Sequence, residues 1–392
     1  MSGIFSPTSP DEVRDVIRDA LAAGTPLGLR GRNTKARLGR SVTVAATLDL
    51  SSLAGVLLYE PEELVISLAP GTPRAEVEAL LAQENQMLAF EPPDWGPLLG
   101  GPADADSIGG AVGVNAAGPR RLKAGAARDF VLGVKGVSGF GDAFKSGGRV
   151  MKNVSGYDLS KLVTGSFGTL AALTEVTLKV LPRPESETTL VVRGLDLAAG
   201  AATLRRAASH AAEASAFAFL PKSLAARCPA QTVARGDGSA TLVRLEGSAA
   251  SLPTRAEDLA QALGRGPTAR LDAEESQAAW RAIRDIAPFA PPTDVPLWRL
   301  SVPPADASAV VEANPSDFVL LDWAGGLVWL ASDEMPTIAR GAAMLVRAPD
   351  DARARLPFLT PPEDALATIV KRVKASFDPK GILNPGRMYE GV

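Results

Sequence analysis

Two stretches of this chain combine glycine with positive charge in a way that suits a phosphorylated ligand. Residues 30–40 hold five basic side chains, Arg30, Arg32, Lys35, Arg37 and Arg40, and no acid; residues 118–152 hold eight basic against two acidic. Residues 96–118, just before the second stretch, contain seven glycines. Glycine lets backbone N–H groups approach an anion closely and adopt the φ values that build a concave nest of donors, so a diphosphate is the ligand such segments could cradle. Plain solvated connections use the same composition. Spacing does not decide between the two, because the chain has neither G-x-G-x-x-G nor G-x-x-x-x-G-K-[ST], and the Rossmann and P-loop readings fall.

The scarce residues exclude more than the common ones offer. One cysteine, Cys228, cannot build an internal disulfide, a thiolate zinc site or an iron-sulfur cluster. One histidine, His210, leaves no imidazole cluster for a metal and none for a nucleophile–histidine relay elsewhere in the chain. No metal site is expected. With 41 basic and 44 acidic residues the formal charge is -3, which provides no global field for nucleic acid. No run of about 18 apolar residues occurs, and the N-terminus lacks a basic and apolar leader pattern, so a cytoplasmic protein without a transmembrane segment is expected.

Elements must position these loops, and 392 residues exceed the roughly 250–300 at which one core stops growing. The first helix announces itself: Ser9 as N-cap, Pro10 at N1 and Glu12 at N3, then a stripe of Val13, Val16, Ile17 and Leu21. Short strands at 26–29, 56–59 and 64–69 follow, a helix carries Val77, Leu80 and Leu81, and a period-2 strand ends at Val180. Pro182 and Pro184 mark a boundary. Beyond it, strands at 189–193, 216–220, 241–245, 298–302, 318–323 and 327–330 alternate with helical patterns at 197–212 and 275–286, which reads as a second α+β unit. The tail begins with a helix bearing Leu366, Ile369, Val370, Val373 and Phe377.

Several motifs together resemble one family. They are Ser107-Ile-Gly-Gly-Ala111, Gly118-Pro-Arg-Arg121, Arg128-Asp-Phe-Val-Leu-Gly133, Val150-Met-Lys-Asn-Val-Ser-Gly-Tyr-Asp-Leu159, Gly165-Ser-Phe-Gly168 and the tail Phe377-Asp-Pro-Lys-Gly-Ile-Leu-Asn-Pro-Gly-Arg-Met-Tyr389. This set is similar to the FAD-binding vanillyl-alcohol oxidase/p-cresol methylhydroxylase (PCMH-type) family, and within it to the glycolate oxidase branch. The resemblance implies an α+β fold in which residues 1–183 form a two-subdomain FAD-binding domain, 184–350 an α+β cap domain, and 351–392 a helix and tail returning to the FAD domain.

The resemblance also implies a site. Gly31, Arg32, Asn33 and Thr34 would form the first pyrophosphate loop beside Pro70 and Gly71, and Gly101, Ser107, Ile108, Gly109 and Gly110 would line the second. Asn115, Gly118 and Arg120 would run along the flavin. Val154, Gly156, Tyr157, Gly168, Leu173 and Thr174 would complete the adenine and ribityl side, and Asn384 would approach the isoalloxazine. The chain departs from the usual Gly-Gly pair in the first loop by having Gly31 and Arg32, whose side chain must point toward the phosphates or away. Trp298, Trp323 and Trp329 are expected in the cap core.

The implied role is the FAD-binding subunit of a multi-subunit glycolate oxidase, working with a larger FAD-containing subunit and an iron-sulfur subunit, with any contact to the inner membrane made through the complex. No histidine precedes residue 210, so the FAD is expected to be non-covalent, and no catalytic residue is assigned. An independent FAD-dependent hydroxy-acid or sugar-alcohol dehydrogenase and a non-catalytic scaffold with a vestigial FAD fold are the other two readings.

Overall fold

A computed structural model describes residues 1–149, 157–263, 266–290 and 294–392. Its contacts divide the chain into two units, one of residues 1–117, 125–182 and 361–392, the other of residues 118–124 and 183–360.

The first unit holds two sheets. Gly3–Phe5 and Leu27–Arg30 flank Ala46–Asp49 in a parallel three-stranded sheet. The helix Pro10–Ala23 covers it because its apolar spacing puts Val13, Ile17 and Ala20 on one fully buried face, packed with Leu27, Leu48, Val137 and Ala172. Ser9 caps this helix by accepting from the Glu12 amide at 3.3 Å. The Glu12 carboxylate closes on the Thr8 amide at 2.8 Å, one residue before the partner a capping box predicts. The second sheet is antiparallel, in the order Val56–Glu60, Val65–Leu68, Ala171–Lys179, Val131–Ser138, Ala143–Gly147.

The tail completes this unit from far along the chain. Leu27 forms a parallel bridge with Leu383, and Asn384 donates its amide to the Leu27 carbonyl at 2.9 Å. The preceding helix, Asp364–Phe377, inverts what its sequence suggests. Leu366 and Ile369 are about half exposed, at 53% and 54%, and the residue it buries is Lys374. Lys374 Nζ donates to the carbonyls of Thr169 and Leu383 at 2.6 and 2.8 Å and to Asp378 at 2.7 Å, so all three of its donors are satisfied.

The second unit is one eight-stranded antiparallel sheet, ordered Ala269–Leu271, Ser186–Arg193, Ala240–Gly247, Ala216–Leu220, Val319–Asp322, Leu327–Ala331, Leu297–Ser301, Ala342–Arg347. Helices Leu197–Ala208, Leu252–Ala262 and Ala307–Ala313 bury their apolar stripes with Phe217, Phe219, Val243, Leu245 and Trp298. Trp323 and Trp329 are buried but stand outside that cluster. Helix Ala273–Arg284 is tied to Thr189 through Ser276 and the Trp280 indole, both at 2.8 Å.

Both differences from the expected boundaries have local causes. Residues 118–124 cluster with the second unit because Arg120 and Lys123 pair with Glu246 and Glu213, and the Trp323 indole donates to the Gly118 carbonyl. Residues 351–360 stay there because Phe358 accepts from the Leu345 amide and Thr360 from that of Ala343.

Candidate functional site

A cleft with about 150 Å³ of interior volume opens in the first unit. Its rim is the loop that leaves the carboxyl end of the parallel strand Leu27–Arg30, the end at which sheets of this kind bind ligands. The backbone there is unusual. The amides of Gly31, Arg32, Asn33, Thr34 and Lys35 donate to no protein acceptor among the described residues, whereas the next ones in the loop are engaged, Ala36 to Asn33 and Leu38 to Lys35. Asn33 has a φ of 63°, the left-handed conformation that turns of this kind use. Five successive N–H groups without a protein acceptor are donors that an anion could take.

Arg32 does not obstruct it. Its Nε donates to the Ala105 carbonyl at 2.9 Å, so the guanidinium is carried off to the neighbouring segment and the departure from a glycine pair is harmless. Gly31 lies close to the opposite segment: a Cβ there would stand 2.7 Å from the Ser107 hydroxyl, which would have to shift.

The second glycine segment works differently from the first. The amides of Ile108, Gly109 and Gly110 are all taken, by Thr72 and Pro70 carbonyls at 3.0 and 2.8 Å and by the Ser107 hydroxyl at 3.2 Å. Ser107 thereby caps the short helix Ile108–Gly113. This segment is the wall of the cleft rather than a donor array, and Gly109 lets it press on Pro70, whose carbonyl would lie 2.7 Å from an added Cβ.

Lys35 supplies the charge. Its side chain is 10% exposed, and its Nζ stands 3.4 Å from Asp106, a fully buried carboxylate that also binds Arg74 at 2.8 Å. Burial pushes the Lys35 ammonium below the usual lysine range, and Asp106 opposes that push. Leu29, Leu38, Leu50, Val163 and Leu173 supply apolar lining beside the polar Arg30, Ser166, Asn384 and Arg387, and no histidine, cysteine or tyrosine lines the cleft among the described residues. At the far side Asn384 accepts from the Leu29 amide and donates to the Phe167 carbonyl, both at 2.8 Å. The free amides and Lys35 would hold a diphosphate, and the apolar side chains would take a ring system, which is the chemistry of a dinucleotide.

The cleft brings together Gly31, Arg32, Asn33, Thr34, Pro70, Ser107, Gly109, Gly110, Gly168, Leu173 and Asn384. Others stand outside its lining. Gly71 packs on the backbone carbonyls of Leu50, Ser51 and Leu53, Ile108 is core, and Gly101 donates to Gly96. Asn115 accepts from the Arg128 amide at 2.9 Å, Thr174 lines a separate hollow, and Tyr157 is 95% exposed. Gly118 and Arg120 belong to the second unit, where Arg120 is committed to Glu246. Val154, Gly156 and the basic Lys152 lie outside the described residues. Lys35 and Arg387 line the cleft without having been singled out as ligands. The basic run 30–40 and the tail motif were the signals that held them.

His210 and Cys228 lie in the second unit. The His210 Nδ1 accepts from the Ala212 amide at 3.1 Å, and His210 is partly buried just beyond helix Leu197–Ala208, which stops short of the 197–212 pattern. Cys228 is buried, which pushes its thiol up.

Comparison with known proteins bears on the family and the cofactor. Residues 1–147 match the FAD binding domain family, and residues 183–313 with 361–388 match the C-terminal domain of FAD linked oxidases. The chain is 36% identical over 382 residues to the glycolate oxidase subunit GlcE of Escherichia coli, covering 95% of each chain. It is 31% identical over 202 residues to glycolate oxidase subunit GlcD of Bacillus subtilis, covering 51% of this chain and 41% of that one. Among solved structures, 4-ethylphenol oxidase from Gulosibacter chungangensis has the same fold, with a TM-score of 0.71, 13% identity, and coverage of 99% of this chain and 89% of that one.

Proposed function

This chain belongs to the FAD-linked oxidase family, and from that membership we propose that it is the FAD-holding subunit of a multi-subunit glycolate oxidase. The observation that carries the reading is the run of five free amides, Gly31 to Lys35, over an apolar cleft. Such a rim suits a diphosphate, and the turned-away Arg32 removes the feature that favoured a vestigial scaffold.

When bound, FAD supplies two-electron redox chemistry of the kind that converts a 2-hydroxy acid to a 2-oxo acid. The residues of this chain position it. Lys35 would offset the diphosphate charge, the Ile108–Gly113 segment walls the cleft, and Asn384 holds strand Leu27–Arg30 to the Phe167 turn. With no histidine, cysteine or tyrosine in the lining among the described residues, a non-covalent flavin follows. Removal of the hydroxyl proton requires a positioned base, and no imidazole or carboxylate lines the cleft among the described residues, so the oxidation of glycolate itself falls to a larger flavin-containing partner. A single cysteine cannot build an electron relay, so an iron-sulfur partner takes that role. Among the described residues no helix is long and apolar enough to cross a membrane, and we place the chain on the cytoplasmic side, with membrane contact left to its partners.

The test is reconstitution. The purified chain, loaded with FAD, should reduce an artificial acceptor negligibly with glycolate, and the complex should lose activity when this chain is omitted. Robust turnover by the chain alone, or full activity of its partners without it, would overturn the assignment.

A further inference from the structure

The tail motif Asn384-Pro-Gly-Arg387 spells a tight turn. Proline presets φ at the second position of such a turn, and glycine admits the positive φ that a type II turn needs at the third. Gly386 has a φ of 73°, and the Arg387 amide closes the turn on the Asn384 carbonyl at 3.1 Å. Both ends of the turn line the cleft. Asn384 joins the Leu29 amide to the Phe167 carbonyl, whereas Arg387 turns to the loop that carries the free amides.

Arg387 grips that loop at two points. Its Nη2 donates to the carbonyls of Lys35 and Ala36, both at 3.0 Å, and its own carbonyl accepts from the Arg40 amide at 3.1 Å. Between these points it crosses Gly39, where a Cβ would stand 2.8 Å from its Nε and 3.2 Å from its carbonyl. The run of amides from Gly31 to Lys35 ends where this grip begins. A backbone carbonyl carries partial negative charge, and one turned toward the ligand would oppose an anion held by neighbouring N–H groups. A hydrogen bond to a guanidinium is roughly twice as strong as one between neutral groups, so Arg387 fixes the two carbonyls that follow the run.

We propose that Arg387 is a positioning residue for the cofactor: it holds the loop in the shape that leaves the Gly31–Lys35 amides available to a diphosphate, and so couples docking of the tail to binding of the flavin. The identity of the ligand rests on the FAD reading above, while the grip rests on the bonds of Arg387 alone. Such coupling is reciprocal. Whatever the docked tail adds to FAD affinity, bound FAD adds to tail docking.

Fluorescence titration of the full chain, stripped of flavin, with FAD and with riboflavin tests this. Arg387→Met should bind FAD about tenfold more weakly and bind riboflavin, which has no phosphate, as the parent does. General loosening of the cleft would weaken both alike. Arg387→Lys should fall between, because lysine keeps the charge and loses the planar fork, and it carries the same comparison if the methionine variant melts too low to titrate. Lys371→Met, on an exposed part of helix Asp364–Phe377, also removes one charge and should bind both flavins as the parent does. Trypsin supplies a second readout: cleavage after the exposed Lys380, followed as the mass of the released tail, should slow severalfold when FAD saturates the parent and less in Arg387→Met. Parent-like FAD affinity in both Arg387 variants, equal losses for FAD and riboflavin, or a tail that FAD leaves unprotected would overturn the coupling alone. A parent that takes up no FAD would overturn the cofactor reading and the coupling together.

Discussion

Lys374 Nζ and Asp378 Oδ2 meet at 2.7 Å inside the first unit, where the carboxylate has no access to solvent. Asp378 also accepts from the amides of Ile382 and Leu383 at 3.0 and 2.7 Å, so this pair folds the tail into the register that delivers Asn384 to the cleft. A buried pair of this kind is worth most as a specifier of geometry, and breaking it strands a charge.

Lys374→Met should therefore cost about 3 kcal/mol or more, since Asp378 is left buried without its cation. Chemical denaturation gives the stability, and flavin fluorescence on the same samples should show FAD released at a lower denaturant concentration than unfolding of the second unit.

Gly109 and Gly110 should separate fold from binding. Gly109→Ala places a methyl against the Pro70 backbone and should lower the melting temperature. Gly110→Ala meets the Ser107 hydroxyl at 3.3 Å and the Lys35 Nζ at 3.9 Å, and Gly110→Leu reaches further toward Lys35, so these variants should stay folded while FAD affinity falls, most for leucine. Equal FAD affinity in parent and Gly110→Leu would remove this wall from the site.

Lys35→Gln tests the diphosphate orientation. The variant should bind FAD about tenfold or more weakly, the loss of one charge-assisted contact, and bind riboflavin, which has no phosphate, as the parent does. Fluorescence quenching of the two flavins gives both numbers. His210→Ala should change neither, and acid precipitation of the loaded chain should leave the flavin in the supernatant.

Glu246 ties the second unit to pH. Burial alone would raise its carboxyl; the Arg244 charge and the Arg120 hydrogen bond and charge outweigh it and hold the group at about 2, against an ordinary 4.5. A folded-state value below the unfolded one stabilises above the unfolded pKa and loses that contribution as pH falls through the folded one. Stability should drop by of order 3 kcal/mol between pH 4.5 and about 2, from the 1.36 kcal/mol that each pH unit of such a shift carries. Glu246→Gln should flatten this part of the curve, as read by tryptophan fluorescence in denaturant at each pH.

Much of the architecture was legible because local signals agreed with tertiary need. Ser9, Pro10 and the stripe through Val13 and Ile17 specify a helix at any distance from the rest of the chain, and the period-2 runs of the second unit specify its strands. Their order in the sheet, which sets Val319–Asp322 beside Ala216–Leu220, depends on pairings no local pattern records. Arg120 looked like a flavin cation because its partner, Glu246, lies 126 residues away. The Asp364–Phe377 helix misled because its carbonyl partners, Thr169 and Leu383, are supplied from outside it and make lysine its buried residue. In the first loop the basic composition drew attention to a segment whose amides, more than its side chains, are the available donors, and only the path of the Arg32 side chain shows that it leaves the loop.

The hydrogen bonds that join Leu27 and Leu29 to residues 382–384 span about 355 positions of chain. A ribosome making this protein releases the nest-bearing loop early and the residues that brace it only after the whole second unit has been synthesised. Long-range closures of this kind form late and slowly. A cleft braced in this way is complete only once residues 382–384 have been made, long after its nest-bearing loop.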